Sequence, residues 1–386
     1  MVITPGEYAA LSAVDIARHV ARGDLKAVDV TSAALARIAE HDDDLRAFTE
    51  IWAEQALARA ADVDAQVTRG ARLPLAGVPI GVKAGEGAGS YQNTRLVDAG
   101  CVPVGATSVP RNNRGWQTYG HTDRGPTLNP LNPAWSPGGS SAGAATAVAA
   151  GLVPLASGSD GAGSVRIPAA WCGIVGLKPT NGRLPARDRA GLNSPGVLVR
   201  SPRDARAYLD VFDGPPTIAP RSAHPLTATW SATLGYADTD PEVAAVARSA
   251  AERLETAGLI TWAEGADLTL VDPAPVWAAL RAGSSLSTEL SSITTTNEER
   301  LRDCCERADL IITPTTPHPP HGHGGPGHRM SVALTWSFNI SGHPAISLPA
   351  GTTSRGEPVG LQLVARHHAE PQLLAVADRA VRPELR

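Results

Sequence analysis

Two serine-bearing glycine turns and one lysine are the residues of this chain whose types and spacing could do chemistry. The first turn, Pro137-Gly138-Gly139-Ser140-Ser141, precedes a run of small residues from Ala142 to Ala150. The second, Gly158-Ser159-Asp160-Gly161-Ala162-Gly163-Ser164, follows a short apolar segment around Leu155 and precedes Val165-Arg166-Ile167-Pro168. Glycine admits positive φ and lets backbone amides approach a ligand closely, so both turns suit an anion or an oxyanion. A serine hydroxyl becomes a useful nucleophile only with a base within hydrogen-bond reach. Neither turn has the G-x-S-x-G form that pairs a serine with histidine.

A lysine is the alternative base. Lys26, Lys83 and Lys178 are the only lysines in a chain with 34 cationic residues of the Lys and Arg type. Arginine stays protonated in a protein, whereas a buried lysine can be held neutral. A lysine kept in such a background is a candidate for chemistry needing a free amine, the alternative being a surface lysine with no role. Lys83 ends the segment Pro74-Leu75-Ala76-Gly77-Val78-Pro79-Ile80-Gly81-Val82-Lys83, and glycine-rich residues 84–89 follow. The pattern predicts a buried strand that delivers Lys83 to a loop at its C-terminal end, where α/β sheets gather ligands. Burial there would depress the amine from its reference value of ~10.4.

The elements that must position these groups are partly legible. Residues 11–39 show apolar spacing of a helical pair with a break at Gly23-Asp24, and a longer helix is expected from Trp52 to Val67. Residues 96–108 read as the end of a helix and a second strand. Residues 202–213 and 241–257 read as helices, the latter with Val243, Val246, Ala250 and Leu254 on one face. Leu268 to Val271 is expected as a short strand, and Ala308 to Pro317 as a strand running into a proline-rich loop. Ser141 is expected to act as a first-turn helix hydroxyl, and Cys172 as a small buried hydrophobe.

Composition narrows the classes. A formal net charge of −4 gives no reason to expect nucleic acid or an anionic membrane. The start, MVITPGEYAA, shows no basic flank or apolar run of a secretory signal. The longest apolar stretch, Ala144 to Ala156, is broken by Gly151 and Pro154 and is too short to span a bilayer. Cys101, Cys172, Cys304 and Cys305 fit no zinc spacing, and adjacent Cys304 and Cys305 are poor disulfide partners, so a cytoplasmic setting is the simplest expectation. His318, His321, His323 and His328 crowd one loop, which invites a metal reading. No regular spacing fixes them, and a solvated or substrate-facing loop is the stronger expectation.

From Ser136 to Thr180, about forty consecutive residues resemble the signature of the amidase-signature hydrolases. That pattern runs roughly GGSSGG, a helix, G-T-D-x-GGS-[IV]-R-x-PA and CG-x-x-GLKPT. Ser140 and Ser164 keep the family's spacing of 24 positions, and Lys83 matches the lysine of its G-V-P-x-x-V-K segment. The resemblance extends unevenly from about residue 11 to residue 383. Segments 338–349 and 358–364 resemble family strands that complete one sheet. The implied fold is a single α/β domain over residues 1–386, a mixed twisted central sheet covered by helices, with a signature core at about 74–185. Two departures stand out. The leg after Lys83 is short and has Ala84 where an acidic residue often follows, and only about residues 273–307 stand in place of a long helical insertion.

The resemblance also implies a mechanism: Ser164 as nucleophile, Ser140 as proton relay and Lys83 as base, with the Gly139–Ser140 peptide in the cis form. A serine can donate and accept at once, which suits a relay. The backbone amides of Gly161, Ala162, Gly163 and Ser164 are the expected oxyanion hole. Ala162 replaces a more usual glycine, and its methyl is expected to narrow access. Gly139, Asp160 and Arg166 are candidates for substrate contact, with Asp160 also able to order its own turn and Arg166 able to pair with Asp160. No cofactor or metal is implied. The expected partner is a small amide, with a homodimer left open. The expected activity is hydrolysis of a linear amide through an acyl-enzyme. The alternatives are a biosynthetic acyltransferase, the glutaminase-type subunit of an amidotransferase, a silent scaffold, and a nucleotide-binding module for which no G-x-x-x-x-G-K-[ST] is present.

Overall fold

The computed structural model describes residues 3–87, 89–111, 118–214 and 225–381. The far end of the family-like stretch, near residue 383, lies outside them. Taken along the chain, α1 (Pro5–Ala10) and α2 (Ala13–Arg22) both begin with capping boxes, Thr4 with Glu7 and Ser12 with Asp15. Gly23 ends α2 in the left-handed conformation, where the sequence places its break. Then come α3 (Ala27–Leu45), β1 (Phe48–Ile51), α4 (Ala53–Thr68), β2 (Pro79–Lys83), α5 (Tyr91–Asp98) and β3 (Val102–Thr107). A short ribbon, β4 (His121–Thr122) with β5 (Gly125–Pro126), precedes α6 (Ala142–Ala149) and β6 (Leu155–Asp160).

The chain continues through α7 (Arg166–Trp171), β7 (Val175–Lys178), β8 (Ser194–Val199), α8 (Pro202–Asp213), β9 (Leu226–Trp230), α9 (Pro241–Thr256) and β10 (Ile260–Trp262). The last elements are α10 (Ala274–Arg281), α11 (Thr288–Arg307), β11 (Leu310–Pro314), α12 (Ser337–Ile340), β12 (Ala345–Thr352), β13 (Pro358–Ala365) and α13 (Glu370–Ala380). Hydrogen-bonded strands follow the order β1-β3-β2-β6-β8-β7-β12-β13-β11-β9-β10, an eleven-stranded mixed sheet. The α/β class with a mixed central sheet and flanking helices is as expected. No described helix is long and apolar enough to cross a membrane.

Two strand-level expectations need correction. Leu268 to Val271 is not a strand. Leu268 and Leu270 alternate inward, and Leu270 N–H donates to the Leu234 carbonyl, but no ladder forms; the strand of that region is β10. Period-two burial needs only two leucines to face a core, not a paired neighbour. The second correction concerns Phe338 to Ile340, which close a short helix, α12, before the strand begins at Ala345.

The chain divides into two compact units. The first comprises Met1–Gly158, Val197–Thr217 and His321–Gly325; the second comprises Ser159–Gly196, Ile218–Pro320 and Pro326–Arg386. In the first unit β2 runs parallel to β3, with Lys83 opposite Thr107, and β3 pairs antiparallel with β1. All five β2 residues are buried. Helix α6 consists of small residues because it lies against backbone: a Cβ on Gly143 would fall 2.1 Å from the Ala47 carbonyl oxygen. Arg200 ties the ends of this region together by donating to the carbonyls of Ala9, Leu11, Val148 and Val153.

In the second unit β12 pairs antiparallel with both β7 and β13, and β11 runs antiparallel to β13 and parallel to β9. One apolar cluster joins Leu268, Leu270, Leu301, Ile311, Leu334, Phe338 and Val364. Another gathers Ala162, Ile167, Ala170, Trp171, Val332 and Trp336, with Trp277 packed against it.

Candidate active site

In the first unit, strand β2 brings the side chain of Lys83 to Ser140. The lysine is 6% exposed, and its Nζ donates to Ser140 Oγ at 3.0 Å. Its backbone N–H donates to Ser157 Oγ at 3.3 Å, which fixes the strand end from which the side chain departs. The serine turn is braced separately. Gly138 N–H donates to Ser136 Oγ, Ser136 Oγ donates to the Thr118 carbonyl, and Ser136 N–H donates to the His321 carbonyl. The Gly139–Ser140 peptide is cis, as the resemblance implies. Gly139 and Ser140 are half-buried.

Ser141 occupies the N-cap position of α6 without capping it. Its hydroxyl is buried with no hydrogen-bond partner, so the expected first-turn role is not taken up.

In the second unit, the turn after β6 is built around a buried carboxylate. Asp160 Oδ1 accepts from Gly163 N–H at 2.7 Å, and Oδ2 accepts from the amides of Val165 and Arg166. The Arg166 guanidinium forks onto both oxygens, Nε at 2.9 Å from Oδ2 and Nη2 at 2.8 Å from Oδ1. Its remaining hydrogens go to the Thr335 carbonyl, Gln362 Oε1 and Asn339 Oδ1. Both side chains are fully buried. Burial alone would raise the Asp160 carboxyl; the Arg166 charge and hydrogen bonds, Asn339 and the Lys178 charge together hold it well below the usual carboxylate range.

Of the alternatives open for Asp160 and Arg166, the structure shows the turn-ordering carboxylate and the Asp160–Arg166 pair, not an exposed group for substrate. Neither has exposed surface, and each carries a full set of protein partners. Their role is to set the turn.

The carbonyls of the turn are each anchored. Asn339 Nδ2 donates to the Asp160 carbonyl at 2.7 Å, Trp277 Nε1 to that of Gly161 at 2.8 Å, and Thr335 Oγ1 to that of Ala162 at 2.5 Å. In a trans peptide the C=O and the following N–H point oppositely, so anchoring the carbonyls on one side turns amides toward the other. The N–H groups of Gly161, Ala162 and Ser164 donate to no described partner. Gly163 is the exception among the four expected donors, since its N–H is committed to Asp160. Gly163 sits at φ +120°, and a Cβ there would lie 2.4 Å from Thr335 Oγ1. Ala162 is 6% exposed and belongs to the apolar cluster around Trp171 and Trp336. Ser164 itself is half-buried.

Asn339, Thr335, Gln362 and Trp277 are supporting residues that motif reading does not reach. Asn339 carries the one visible signal, an amide between the apolar Phe338 and Ile340.

Lys178, the lysine of the GLKPT segment, is structural. It is fully buried, and its Nζ donates to the carbonyls of Pro179 and His343. Burial, and then the Arg166 charge, push its amine down to about 7, against the opposing pull of Asp160 and Glu370. Its folded pKa is below its unfolded one, so between pH 7 and about 10.5 the unfolded chain binds the extra proton. Stability therefore rises with pH across that window. Urea unfolding at pH 7 and pH 9 is expected to show the wild type gaining on Lys178→Met as pH rises; equal pH slopes would contradict it.

Among the loop histidines, His321 Nε2 lies 2.6 Å from Thr118 Oγ1, and His323 Nε2 lies 3.1 Å from the Thr127 carbonyl. No group of three or more His, Cys, Asp or Glu among the described residues is arranged to hold a metal. The cysteines of the described residues are free thiols, three of them buried, Cys172 among them.

Comparison with known proteins gives the family. The amidase family profile matches residues 29–85, 90–277 and 276–374. An acylamidase of Rhodococcus erythropolis is 31% identical, with 97% of this chain and 96% of the relative covered. A glutamyl-tRNA(Gln) amidotransferase component of Chromohalobacter salexigens is 30% identical, with 95% of each covered. Among solved structures, a bacterial aryl acylamidase of the amidase signature family matches with TM-score 0.80 at 23% identity over 96% of both chains, a likeness of fold. The 6-aminohexanoate cyclic dimer hydrolase matches with TM-score 0.73 at 27% identity over 98% of this chain and 99% of its own. The chain belongs to the amidase signature family and is an amidase-family hydrolase.

Proposed function

We propose that this enzyme hydrolyses a linear carboxylic amide to the acid plus ammonia or an amine, through an acyl-enzyme on Ser164. The observation that carries the reading is the buried Lys83 Nζ at 3.0 Å from Ser140 Oγ, at the end of strand β2. In the reactive form Lys83 is neutral and accepts the Ser140 proton, while Ser140 accepts the proton of Ser164 as Ser164 Oγ attacks the amide carbon. The C=O pair moves onto oxygen, and the amides of Gly161, Ala162 and Ser164 stabilise that oxyanion. Collapse expels the amine, which takes the proton back along the same relay. Water then attacks the ester by the same route and releases the acid.

Gly139 is the remaining candidate for substrate contact. We further propose that residues 1–386 act as one amidase-signature domain, which the span of the family match supports. A cytoplasmic setting fits the free cysteines.

The test is product analysis on a panel of linear amides from acetamide to long-chain and aryl acyl groups. Acid and amine in equal amounts are expected, and added hydroxylamine should divert the acyl group to a hydroxamate. No turnover of any amide by folded protein would contradict the proposal. A glutaminase role within an amidotransferase is the second reading, supported by the amidotransferase relative. It would show as glutamine hydrolysis that depends on a co-purifying partner.

A further inference from the structure

We propose that Trp277 is a positioning residue for the oxyanion turn: its indole N–H fixes the Gly161 carbonyl and thereby aims the Ala162 amide. The inference rests on the oxyanion role proposed for this turn and assigns a task to the short segment between β10 and β11. Each peptide plane of the turn has its own anchor. The plane carrying the Gly161 amide is held by Asn339, and that carrying the Gly163 amide by Thr335 and the Asp160 carboxylate. The plane between Gly161 and Ala162 is held through its carbonyl by Trp277 Nε1 at 2.8 Å. Because the peptide is rigid and trans, rotating that carbonyl by some angle rotates the Ala162 N–H by the same angle.

Asn339 and Thr335 are fully buried, on or beside α12, and belong to the Arg166 network. Trp277 comes from a different place. It is half-buried on α10, an eight-residue helix of the shortened segment, and α10 is held by Val276 and by packing of Trp277 against Trp336, ring centroids 6.4 Å apart. Trp336 donates its own indole N–H at 3.3 Å to Tyr236 rather than to the turn. The two indoles therefore share a cluster but differ in what they hold, which gives an internal control.

An amide displaced by a fraction of an ångström still binds a ground-state carbonyl but stabilises the developing oxyanion less well. The loss should fall on the chemical step rather than on binding. The experiment is the rate of Ser164 phosphonylation by an alkyl fluorophosphonate, resolved into kinact and KI, for wild type, Trp277→Phe and Trp336→Phe, with melting temperatures alongside. Trp277→Phe keeps an aromatic ring and loses the donor; about tenfold lower kinact with KI within twofold is expected. Trp336→Phe is expected to lower the melting temperature while leaving kinact within twofold. Equal kinact in Trp277→Phe and wild type, or equal losses in both variants, would overturn the positioning role. A wild type that is labelled elsewhere, with Ser164→Ala fully active, would overturn the underlying reading of the turn instead.

Discussion

Ser164→Ala is expected to lower kcat by at least about four orders of magnitude, with the folded state intact. In the proposed triad, loss of the nucleophile removes nearly all the chemistry those residues would supply, leaving what oxyanion donors and binding contribute alone. The fold should tolerate the change because Ser164 is half-buried and its hydroxyl makes no described hydrogen bond; surface-like changes of this size stay within about 0.5 kcal/mol. Lys83→Ala is expected to fall less far, by about two to four orders of magnitude, the usual scale for a general base. Steady-state kinetics on any amide the enzyme accepts, with an unfolding curve for each variant, checks both. A Ser164→Ala enzyme within tenfold of wild type would remove Ser164 from the mechanism.

The second large effect is on stability. Asp160→Asn is expected to cost about 3–5 kcal/mol, the scale for breaking a buried ion pair by removing one charge. The geometry makes the amide a poor substitute. Oδ1 accepts from Gly163, Arg166 Nη2 and Asn339, and Oδ2 from Val165, Arg166 and Arg166 Nε. An Asn NH2 in either orientation would face donors, and Arg166 would keep an uncompensated charge in a fully buried site. Denaturant unfolding should show the midpoint shifted down, and the variant's residual activity should fall with the loss of the turn. A variant within about 1 kcal/mol of wild type would mean the Asp160–Arg166 pair does not hold the turn.

Much of this was legible because the signature is local. The strand ending at Lys83, the helix after Ser140 and the strand before Ser164 follow from apolar runs, small-residue packing and glycines at required turns, and all three occur. Leu268 to Val271 misled because alternation reports burial, not pairing. Substrate contact and mutual pairing stayed open together for Asp160 and Arg166 for a related reason: a charge in a motif is equally suited to a ligand or to a partner six residues away, and only burial separates the two. The anchors of the turn were out of reach. Asn339, Thr335 and Trp277 lie more than one hundred residues along the chain from the carbonyls they hold, and nothing in their local sequence names those partners.

The central claim is that Lys83, through Ser140, activates Ser164. Its most direct test is intact-mass and peptide-mapping analysis after incubation with a fluorophosphonate, with Lys83→Ala treated in parallel. The account predicts a single adduct on Ser164 in the wild type that forms far more slowly in the lysine variant. An adduct on another residue, or equal labelling of Ser164 with and without Lys83, would contradict it.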